Sequence, residues 1–227
     1  MRVHVAFTPA ESVRAPVAVV VDVLRATSTI AQALEAGYRR VLCCAEPDEA
    51  RALRERLGEG VLAGERLAEP IPGFDLGNSP REFLEPRGET LILSTTNGTR
   101  AIVAAAADAG TVLAGSLLNL HAVTAAARAA GDEVAVVCAG VDGRFTLDDA
   151  YCAGRIAELV GGERSDAAEA AVRLARSFGS AEEGLRAAEN PRQEALGEDV
   201  AWCARESVLG VVPRLARLEG AAAELVA

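Results

Sequence analysis

Short apolar runs alternate along this chain with stretches of helical periodicity, and this alternation restricts the fold more than any other feature. Residues 17–21 read Val-Ala-Val-Val-Val, and further runs suited to strands occupy residues 39–44, 61–63, 90–93, 111–114 and 133–138. Strands that are apolar on both faces are typical of parallel sheets, whose strands are joined by crossover helices. We therefore predict the α/β class, with three α/β/α layers and a mainly parallel sheet.

Helical segments fill the intervals between these runs. They are predicted at residues 27–37, 47–57, 100–109, 117–130 and 146–160. From residue 165 to 206 the pattern is more helical, with segments at 167–177, 181–188 and 199–207, followed by a last predicted strand at 208–212. We expect a single α/β domain spanning residues 1–227, and a helical lobe or insertion at about 161–206 is left open.

Composition restricts the partners and the compartment. The formal net charge of −10 disfavours nucleic acid and anionic membranes, because both favour basic protein faces. No stretch reaches the ~18 apolar residues that span a bilayer, and the N terminus alternates like a strand rather than resembling a signal peptide. The odd number of cysteines, five, without a signal peptide indicates reduced thiols and a cytoplasmic location. The chain has no Cys-x-x-Cys pair, which disfavours a thiolate zinc site. A homodimer, the commonest assembly, is left open.

Polar side chains recur where the predicted strands end, which is where ligands bind in open α/β sheets. The first such turn holds Asp22, Arg25, Thr27 and Ser28. The guanidinium of Arg25 can make a forked contact with a phosphate or carboxylate, and the hydroxyls and free N–H groups at the helix start can receive an anion. A capped helix with a solvent-exposed Asp and Arg explains the same residues without a ligand.

Two further turns contain hydroxyl and amide side chains. The turn after residues 90–93 presents a set of anion-binding candidates, namely Thr95, Thr96, Asn97, Gly98 and Thr99. Anion binding and ordinary turn chemistry explain this set equally well. For Ser116 and Asn119, in the turn after residues 111–114, a helix cap is the favoured interpretation.

The turn after residues 133–138 combines glycines, an arginine and carboxylates. Its glycines permit tight backbone geometry, and the ligand-binding candidates there are Gly140, Gly143 and Arg144. Thr146 and Asp149 fit a capping box at the start of the next helix. That interpretation leaves Asp142 and Asp148 less explained, so both stay candidates for a metal.

Residues 64–80 have no helical period and are rich in Gly and Pro, which predicts a long loop. Long ordered loops in compact domains are often functional. The loop contributes the candidates Glu65, Asp75, Asn78 and Ser79. Hydrogen bonding of the last three to the loop backbone is the default interpretation. Across the chain, the carboxylates available to a hard cation such as Mg²⁺ are Asp22, Glu65, Asp75, Asp142, Asp148 and Asp149.

Six strings from these turns match one known family in order and spacing. They are DVLRATSTI from Asp22, GER from Gly64, GFDLGNSP from Gly73, STTNGTRA from Ser94, GSLLN from Gly115 and CAGVDGRFTLDDAYCAG from Cys138. Over about residues 1–160 the chain thereby resembles the 2-phosphosulfolactate phosphatase family. In the C-terminal part, that family usually has a polar residue shortly before a Val-Val-Pro segment, where this chain has Leu209 and Gly210.

The resemblance implies an α/β/α fold and Mg²⁺-dependent hydrolysis of a phosphate monoester. The family's substrate is 2-phospho-3-sulfolactate, which is converted to 3-sulfolactate and phosphate in a reaction of the coenzyme M pathway type. An acidic protein can bind so anionic a substrate only where local cations overcome its overall field. We expect Mg²⁺ and Arg25 to supply that charge, with helpers among Arg66, Arg100 and Arg144.

We expect direct attack of water on phosphorus, with the water activated by Mg²⁺ or by a carboxylate. The catalytic candidates are Asp22, Arg25, Glu65 and Asp149. The metal candidates are Asp22, Glu65, Asp142, Asp148 and Asp149. The substrate-binding candidates are Thr27, Ser28, Asp75, Asn78, Ser79, Thr95, Thr96, Asn97, Gly98, Thr99, Ser116, Asn119, Gly140, Gly143 and Arg144.

Alternative functions and mechanisms remain at this stage. A covalent aspartyl-phosphate at Asp22 is less favoured, because the haloacid-dehalogenase pattern needs an Asp where Leu24 stands. A cysteinyl mechanism through Cys138 and Arg144 is disfavoured, because the nearby Asp142 would raise the thiol pKa. A non-catalytic module that binds phosphorylated metabolites, and a phosphatase acting on a different phosphorylated acid, are the alternative functions.

Overall fold

The computed structural model describes residues 1–11, 14–189 and 196–227. Its strands are β1 (Arg2–Ala6), β2 (Val17–Val21), β3 (Arg40–Cys44), β4 (Val61–Arg66), β5 (Glu69–Pro70), β6 (Thr90–Ser94), β7 (Thr111–Gly115), β8 (Glu133–Cys138), β9 (Glu163–Arg164), β10 (Arg214–Glu219) and β11 (Ala222–Val226). Its helices are α1 (Ala26–Ala36), α2 (Pro47–Leu57), α3 (Gly98–Asp108), α4 (Leu120–Ala130), α5 (Leu147–Val160), α6 (Asp166–Arg176), α7 (Ala181–Arg186) and α8 (Asp199–Cys203), and a 3₁₀ turn spans Pro80–Phe83.

The strands form one mixed sheet in the order β5-β4-β6-β3-β11-β10-β7-β2-β8-β1-β9. Strands pair in parallel along β4-β6-β3 and along β7-β2-β8-β1-β9. The antiparallel hairpin β10–β11 stands between β3 and β7 and joins these two parallel groups. The predicted α/β class with a mainly parallel sheet is confirmed.

Strand β2 shows why the apolar runs become central strands. All of its residues are buried, although successive side chains in a strand point to opposite faces. Val17, Val19 and Val21 enter one hydrophobic cluster, whereas Ala18 and Val20 enter the cluster on the other face. A polar residue at any of these positions would be buried without a hydrogen-bond partner, so the run is apolar throughout.

Helices cover both faces of the sheet and give it the predicted three layers. On one face α1 and α3 pack against strands of both parallel groups. On the other face α2 covers β3, β4 and β6, while α4, α5 and α6 cover the strands from β7 to β1. Within the described ranges, no helix is both long and apolar enough to cross a bilayer.

The end of the chain departs from the sequence-based expectation. Residues 208–212 form no strand, so that prediction is wrong; the Leu209 N–H donates to the Leu118 carbonyl (2.9 Å) in an irregular connection. Pro213 follows and has no N–H with which to continue a ladder. The strands β10 and β11 come after it, and β10 was missed because its RLARLE sequence is charged and largely exposed.

The helical stretch after residue 161 packs on the rest of the molecule. Ala168, Ala171 and Val172 of α6 enter the same hydrophobic cluster as Val3 and Val5 of β1. Helix α8 ends at Cys203, earlier than the predicted segment 199–207. Residues 190–195 of the predicted stretch 161–206 lie outside the described residues.

Candidate active site

The loops that follow β2, β4, β6 and β8 meet at a small cavity of about 40 Å³. Its lining consists of Asp22, Leu24, Arg25, Glu65, Ala68, Asn78, Thr96, Asn97, Val141 and Leu196. The first, second and fourth polar turns and the long loop therefore come together, as convergence at one site requires. Fifteen of the predicted site residues are absent from this lining and brace it or lie elsewhere, namely Thr27, Ser28, Asp75, Ser79, Thr95, Gly98, Thr99, Ser116, Asn119, Gly140, Asp142, Gly143, Arg144, Asp148 and Asp149.

Asp22 follows the last residue of β2 and is buried at the start of α1. Its Oδ1 accepts a hydrogen bond from the Ala26 N–H (3.2 Å). Burial, together with the neighbouring Glu65 carboxylate, raises the pKa of Asp22 to about 7, and backbone N–H groups of Ala26 and Gly98 partly oppose this rise. A carboxyl group that titrates near neutral pH inside a pocket is suited to accept and release a proton.

Thr27 and Ser28 brace this turn from within the protein. The Thr27 hydroxyl donates to the Asp22 carbonyl (2.9 Å) and accepts from the Asp22 N–H (3.1 Å). The Ser28 hydroxyl donates to the Val23 carbonyl (2.8 Å). Both side chains are fully buried, so the structure gives them backbone partners where the sequence suggested ligand contacts.

Gly98 begins α3 directly against Asp22. A Cβ atom at this position would lie 2.5 Å from Asp22 Oδ2 and 2.5 Å from Ala26 Cβ. Real Cβ contacts are not this short, so the two helix starts can approach each other only with glycine at residue 98. The anion-binding role expected of Gly98 stays a prediction, and the structure adds a steric requirement for glycine at this position.

A Gly98→Ala substitution is expected to push α3 away from Asp22 and to reduce phosphate-ester turnover about 100-fold, as misplacement of a catalytic group by about 1 Å commonly does. Steady-state kinetics on the purified variant measures this loss. Gly210→Ala is the control, because no atom lies within 4 Å of a Cβ built there and its backbone is outside the positive-φ region that strains alanine. Equal activity of Gly98→Ala and the wild-type protein would contradict the steric argument.

Glu65 near the end of β4 holds the second polar turn in place. Its Oε1 accepts from the Thr96 N–H (2.8 Å), and its Oε2 accepts from the Thr96 hydroxyl (3.1 Å) and the Ala68 N–H (2.8 Å). Within the same turn, the Thr95 N–H donates to the Thr99 hydroxyl, and the Thr99 N–H donates to the Thr95 hydroxyl. The Asn97 side-chain oxygen accepts from the Asp142 N–H (3.1 Å), which connects the second turn to the fourth.

Asp149 connects the first turn to the fourth and does not cap α5. Its Oδ1 accepts from the Val23 N–H and its Oδ2 from the Gly140 N–H, each at 2.9 Å. Thr146 is the N-cap residue of α5, but its side chain makes no capping hydrogen bond, so the predicted capping box is wrong. The Asp149 carboxylate is hydrogen-bonded to backbone N–H groups from two other loops, so it does not cap its own helix. Burial and the adjacent Asp148 and Asp22 raise the pKa of Asp149 well above its usual value.

Arg25 is held by a residue that the sequence analysis missed. Its Nη1 lies 2.7 Å from Oδ2 of Asp199, the first residue of α8, and both side chains are more than nine-tenths buried. Oδ1 of Asp199 accepts from the Ser79 hydroxyl (2.6 Å). Asp199 lies 174 residues from Arg25, so only the acidic start of a predicted helix could have indicated it.

Several of the predicted site residues form hydrogen bonds with other parts of the protein, outside the cavity. Asp75 Oδ2 accepts from the Leu62 N–H (2.8 Å) in β4 and from Arg54 (3.2 Å) in α2, so it fastens the loop to neighbouring elements and does not bond the loop's own backbone as expected by default. The Asn119 side-chain oxygen accepts from the N–H and hydroxyl of Ser116, and its amide donates to the Val211 carbonyl. Both Ser116 and Asn119 are fully buried in this network.

The remaining basic candidates lie at the periphery. Arg66 donates to the Glu65 and Ala45 carbonyls and to the Ser94 hydroxyl. Arg100 is paired with Glu46, whereas Arg144 is exposed next to the exposed Asp142 and Gly143. Arg25 is thus the one guanidinium in the described cavity lining.

The cysteinyl alternative lacks a reactive thiol. Cys138 is buried at the end of β8. Burial and the nearby Asp149 carboxylate raise the pKa of Cys138 well above its usual value. The thiolate needed for attack on phosphorus is therefore disfavoured at neutral pH.

Four buried carboxylates at the site, those of Asp22, Glu65, Asp148 and Asp149, form a second feature of its charge. Among the described residues, no arginine or histidine forms an ion pair with Asp22, Glu65, Asp148 or Asp149. In the same part of the chain, no three Asp, Glu, His or Cys side chains are placed together as a metal-binding group. Mg²⁺ often uses only one or two carboxylates, with waters and substrate phosphate as its other ligands. The oxygen donors of the cavity fit that kind of site.

A mainly parallel sheet whose loops gather a buried base, a guanidinium and uncompensated carboxylates is the arrangement of an α/β enzyme that acts on a small anion. A family model described as 2-phosphosulpholactate phosphatase matches residues 4–217. This chain belongs to the 2-phosphosulpholactate phosphatase family. The predicted family and the predicted enzyme class, a phosphoric monoester hydrolase, are confirmed.

Individual relatives extend this similarity to nearly the whole chain. A Thermus thermophilus protein named probable 2-phosphosulfolactate phosphatase is 42% identical over 226 residues, covering 95% of this chain and 94% of the relative. A Deinococcus radiodurans protein of the same name is 41% identical over 225 residues, covering 95% and 93%. A Methanothermobacter thermautotrophicus protein named 2-phosphosulfolactate phosphatase is 40% identical over 217 residues, covering 94% and 92%.

Proposed function

We propose that this protein hydrolyses the phosphate monoester of 2-phospho-3-sulfolactate, releasing 3-sulfolactate and phosphate, with Mg²⁺ as its cofactor. The observation that carries the proposal is the cavity in which buried Asp22, with a pKa raised to about 7, lies with Arg25 and Glu65. The names of the relatives from three organisms support the choice of substrate.

Asp22 acts as the general base in this proposal. As the oxygen of a water molecule forms a bond to phosphorus, its proton passes to the Asp22 carboxylate, and the bond from phosphorus to the C2 oxygen of the substrate breaks. The departing oxygen takes up a proton from solvent water to become the hydroxyl of 3-sulfolactate, and Asp22 returns its own proton to solvent. A base with a pKa near the working pH is effective because it can both hold and release the proton.

Arg25 stabilises the phosphoryl oxygens as negative charge accumulates on them. Its guanidinium presents donors in a fixed planar fork, the geometry that matches phosphate. The hydroxyl of Thr96 and the amide of Asn97, both in the cavity lining, supply further polar contacts for the substrate. Donors that are already fixed in place are worth more to the transition state than mobile ones.

The charge of the cavity supports the proposal of Mg²⁺. Asp199 neutralises Arg25, so Asp22 and Glu65 leave the lining net negative, and a substrate with a phosphate, a sulfonate and a carboxylate would be repelled. Glu65 is the side chain of the lining that would hold the cation, and Asp22, Asp148 and Asp149 would add to its attraction. When bound, Mg²⁺ supplies positive charge to the phosphoryl group and acidifies water.

A cytoplasmic location belongs to the same proposal. The five cysteines are buried and free, without a disulfide, which is the usual state of thiols in a reducing compartment.

Phosphate release from a set of monoesters, with and without EDTA, tests the function. We expect turnover of 2-phospho-3-sulfolactate to exceed that of 2-phospholactate, which lacks the sulfonate, and to fall to background in EDTA. Equal or faster turnover of another phosphorylated acid would contradict the assignment of 2-phospho-3-sulfolactate as the substrate. Absence of turnover, with anions still raising the melting temperature, would establish a binding module instead.

A further inference from the structure

The ion pair between Arg25 and Asp199 joins distant parts of the fold at the wall of the cavity. Arg25 Nη1 and Asp199 Oδ2 are 2.7 Å apart, and their side chains are 8% and 6% exposed. Asp199 belongs to α8, whereas Arg25 precedes α1. Ser79, from the long loop, donates to the other oxygen of Asp199 at 2.6 Å. Three separate segments thus meet at one carboxylate.

Such a pair is not explained well by stability alone. Removing two charges from water is costly, and well-packed apolar side chains often stabilise a fold as much as a buried ion pair does. The protein also leaves some of the hydrogen-bond donors of the Arg25 guanidinium without a close acceptor. Its Nη2 has the Ala68 carbonyl at 3.5 Å, the outer limit of a hydrogen bond, while the side chain lines the cavity. One edge of Arg25 is therefore fixed, and donors on the remainder are available to a ligand.

We propose that Asp199 is a positioning residue for the phosphatase reaction. It holds the guanidinium of Arg25 in the orientation that matches the phosphoryl group in the transition state, and Ser79 holds Asp199 in turn. This inference rests on the proposed function and extends it to a residue outside the cavity lining. Asp199 is absent from the cavity lining, so its effect on the reaction passes through Arg25.

The role predicts separate effects on kcat and KM. In an Asp199→Asn variant Arg25 keeps its charge and is no longer neutralised, so the substrate still binds. The guanidinium loses its fixed orientation, so the transition state loses more than the ground state does. We expect kcat to fall about 100-fold, as for other small misplacements at active sites, with KM unchanged or lower.

Glu198→Gln is the matched control. Glu198 is adjacent in sequence, and the substitution removes the same charge, but its carboxylate is exposed and pairs with Arg81 on the surface. We expect kcat and KM of this variant to match those of the wild-type protein. The single tryptophan, Trp202, lies in the same helix as Asp199, so its fluorescence reports whether α8 remains in place.

A second measurement separates positioning from structure without turnover. Vanadate adopts a five-coordinate geometry like that of the phosphoryl transition state, and inorganic phosphate does not. We expect Asp199→Asn to lose most of the rise in melting temperature caused by vanadate and to keep the rise caused by phosphate. Asp199→Glu, which retains the charge, should recover part of the vanadate effect.

Opposite outcomes overturn the proposal. Wild-type kcat in Asp199→Asn, or equal losses of the vanadate and phosphate effects, would assign Asp199 a purely structural role. If Asp199→Asn does not fold, Asp199→Glu keeps the charge and displaces the carboxylate by one methylene group; a wild-type kcat in that variant would show that the orientation of Arg25 does not depend on Asp199 and would overturn the proposal. Turnover by the wild-type protein tests the proposed function, and the ratio of variant to wild type tests the positioning role, so the two can fail separately.

Discussion

Replacing Asp22 by Asn is expected to abolish most of the activity and, in the metal-free protein, to increase stability at pH 8. Loss of a general base lowers kcat by about 10²–10⁴-fold. The stability effect has the opposite sign, because the ionised Asp22 is buried next to Glu65 and its pKa is raised from 3.8 to about 7. Asn can still accept a hydrogen bond from Ala26 without a charge.

The sign of the pH dependence follows from proton linkage. Because the folded protein holds the Asp22 proton more tightly than the unfolded chain, stability falls as pH rises from about 4 to about 7. Full ionisation costs at most about 4 kcal/mol, given about 1.4 kcal/mol for each pKa unit. The advantage of Asp22→Asn should therefore be small at pH 4.5 and largest at pH 8.

Urea unfolding in EDTA at the two pH values measures this difference. Asp48→Asn provides the control, since Asp48 is 94% exposed and its loss removes the same charge from the surface. A stability difference that is the same at both pH values, or an Asp22→Asn variant with wild-type turnover, would contradict the assignment of Asp22 as a buried base.

Replacing Arg25 by Ala is expected to reduce both activity and stability severely. The substitution leaves the Asp199 carboxylate buried without its cation, and breaking a buried pair from one side typically costs about 3–5 kcal/mol. Turnover should fall at least about 10³-fold, because the one guanidinium of the described cavity lining is lost.

The double variant Arg25→Ala/Asp199→Ala separates these effects. Removing both charges should restore much of the stability that Arg25→Ala loses, while turnover stays low. Urea unfolding and steady-state kinetics on the single and double variants complete the comparison. A double variant less stable than Arg25→Ala would show that the buried charge is not the source of the loss.

Local patterns predicted those parts of the fold in which local and tertiary preferences agree. Residues 17–21 and 133–138 became strands with the predicted bounds, because their continuous apolar character fits a two-sided core. Residues 47–57 likewise became α2, with Pro47 at its start and Gly58 after its end. Asp22 and Arg25 could be selected because both directly follow a recognisable strand.

The errors occur where distant groups decide the structure. Asp149 has the spacing of a cap, yet Val23 and Gly140, from two other loops, provide its donors. Asp199 has no local feature that distinguishes it from an ordinary acidic helix start, and its role becomes visible only when α8 meets Arg25. No pattern within a single segment carries such information.

The place of the hairpin β10–β11 has a consequence for biosynthesis. Ribosomes deliver both parallel groups of strands before residues 214–226, yet these residues stand between β3 and β7 and connect the groups. During synthesis, the edges of β3 and β7 therefore stay unpaired until residues 214–226 have been added. A chain truncated before residue 214 would leave the facing edges of β3 and β7 unpaired, and unpaired strand edges favour aggregation.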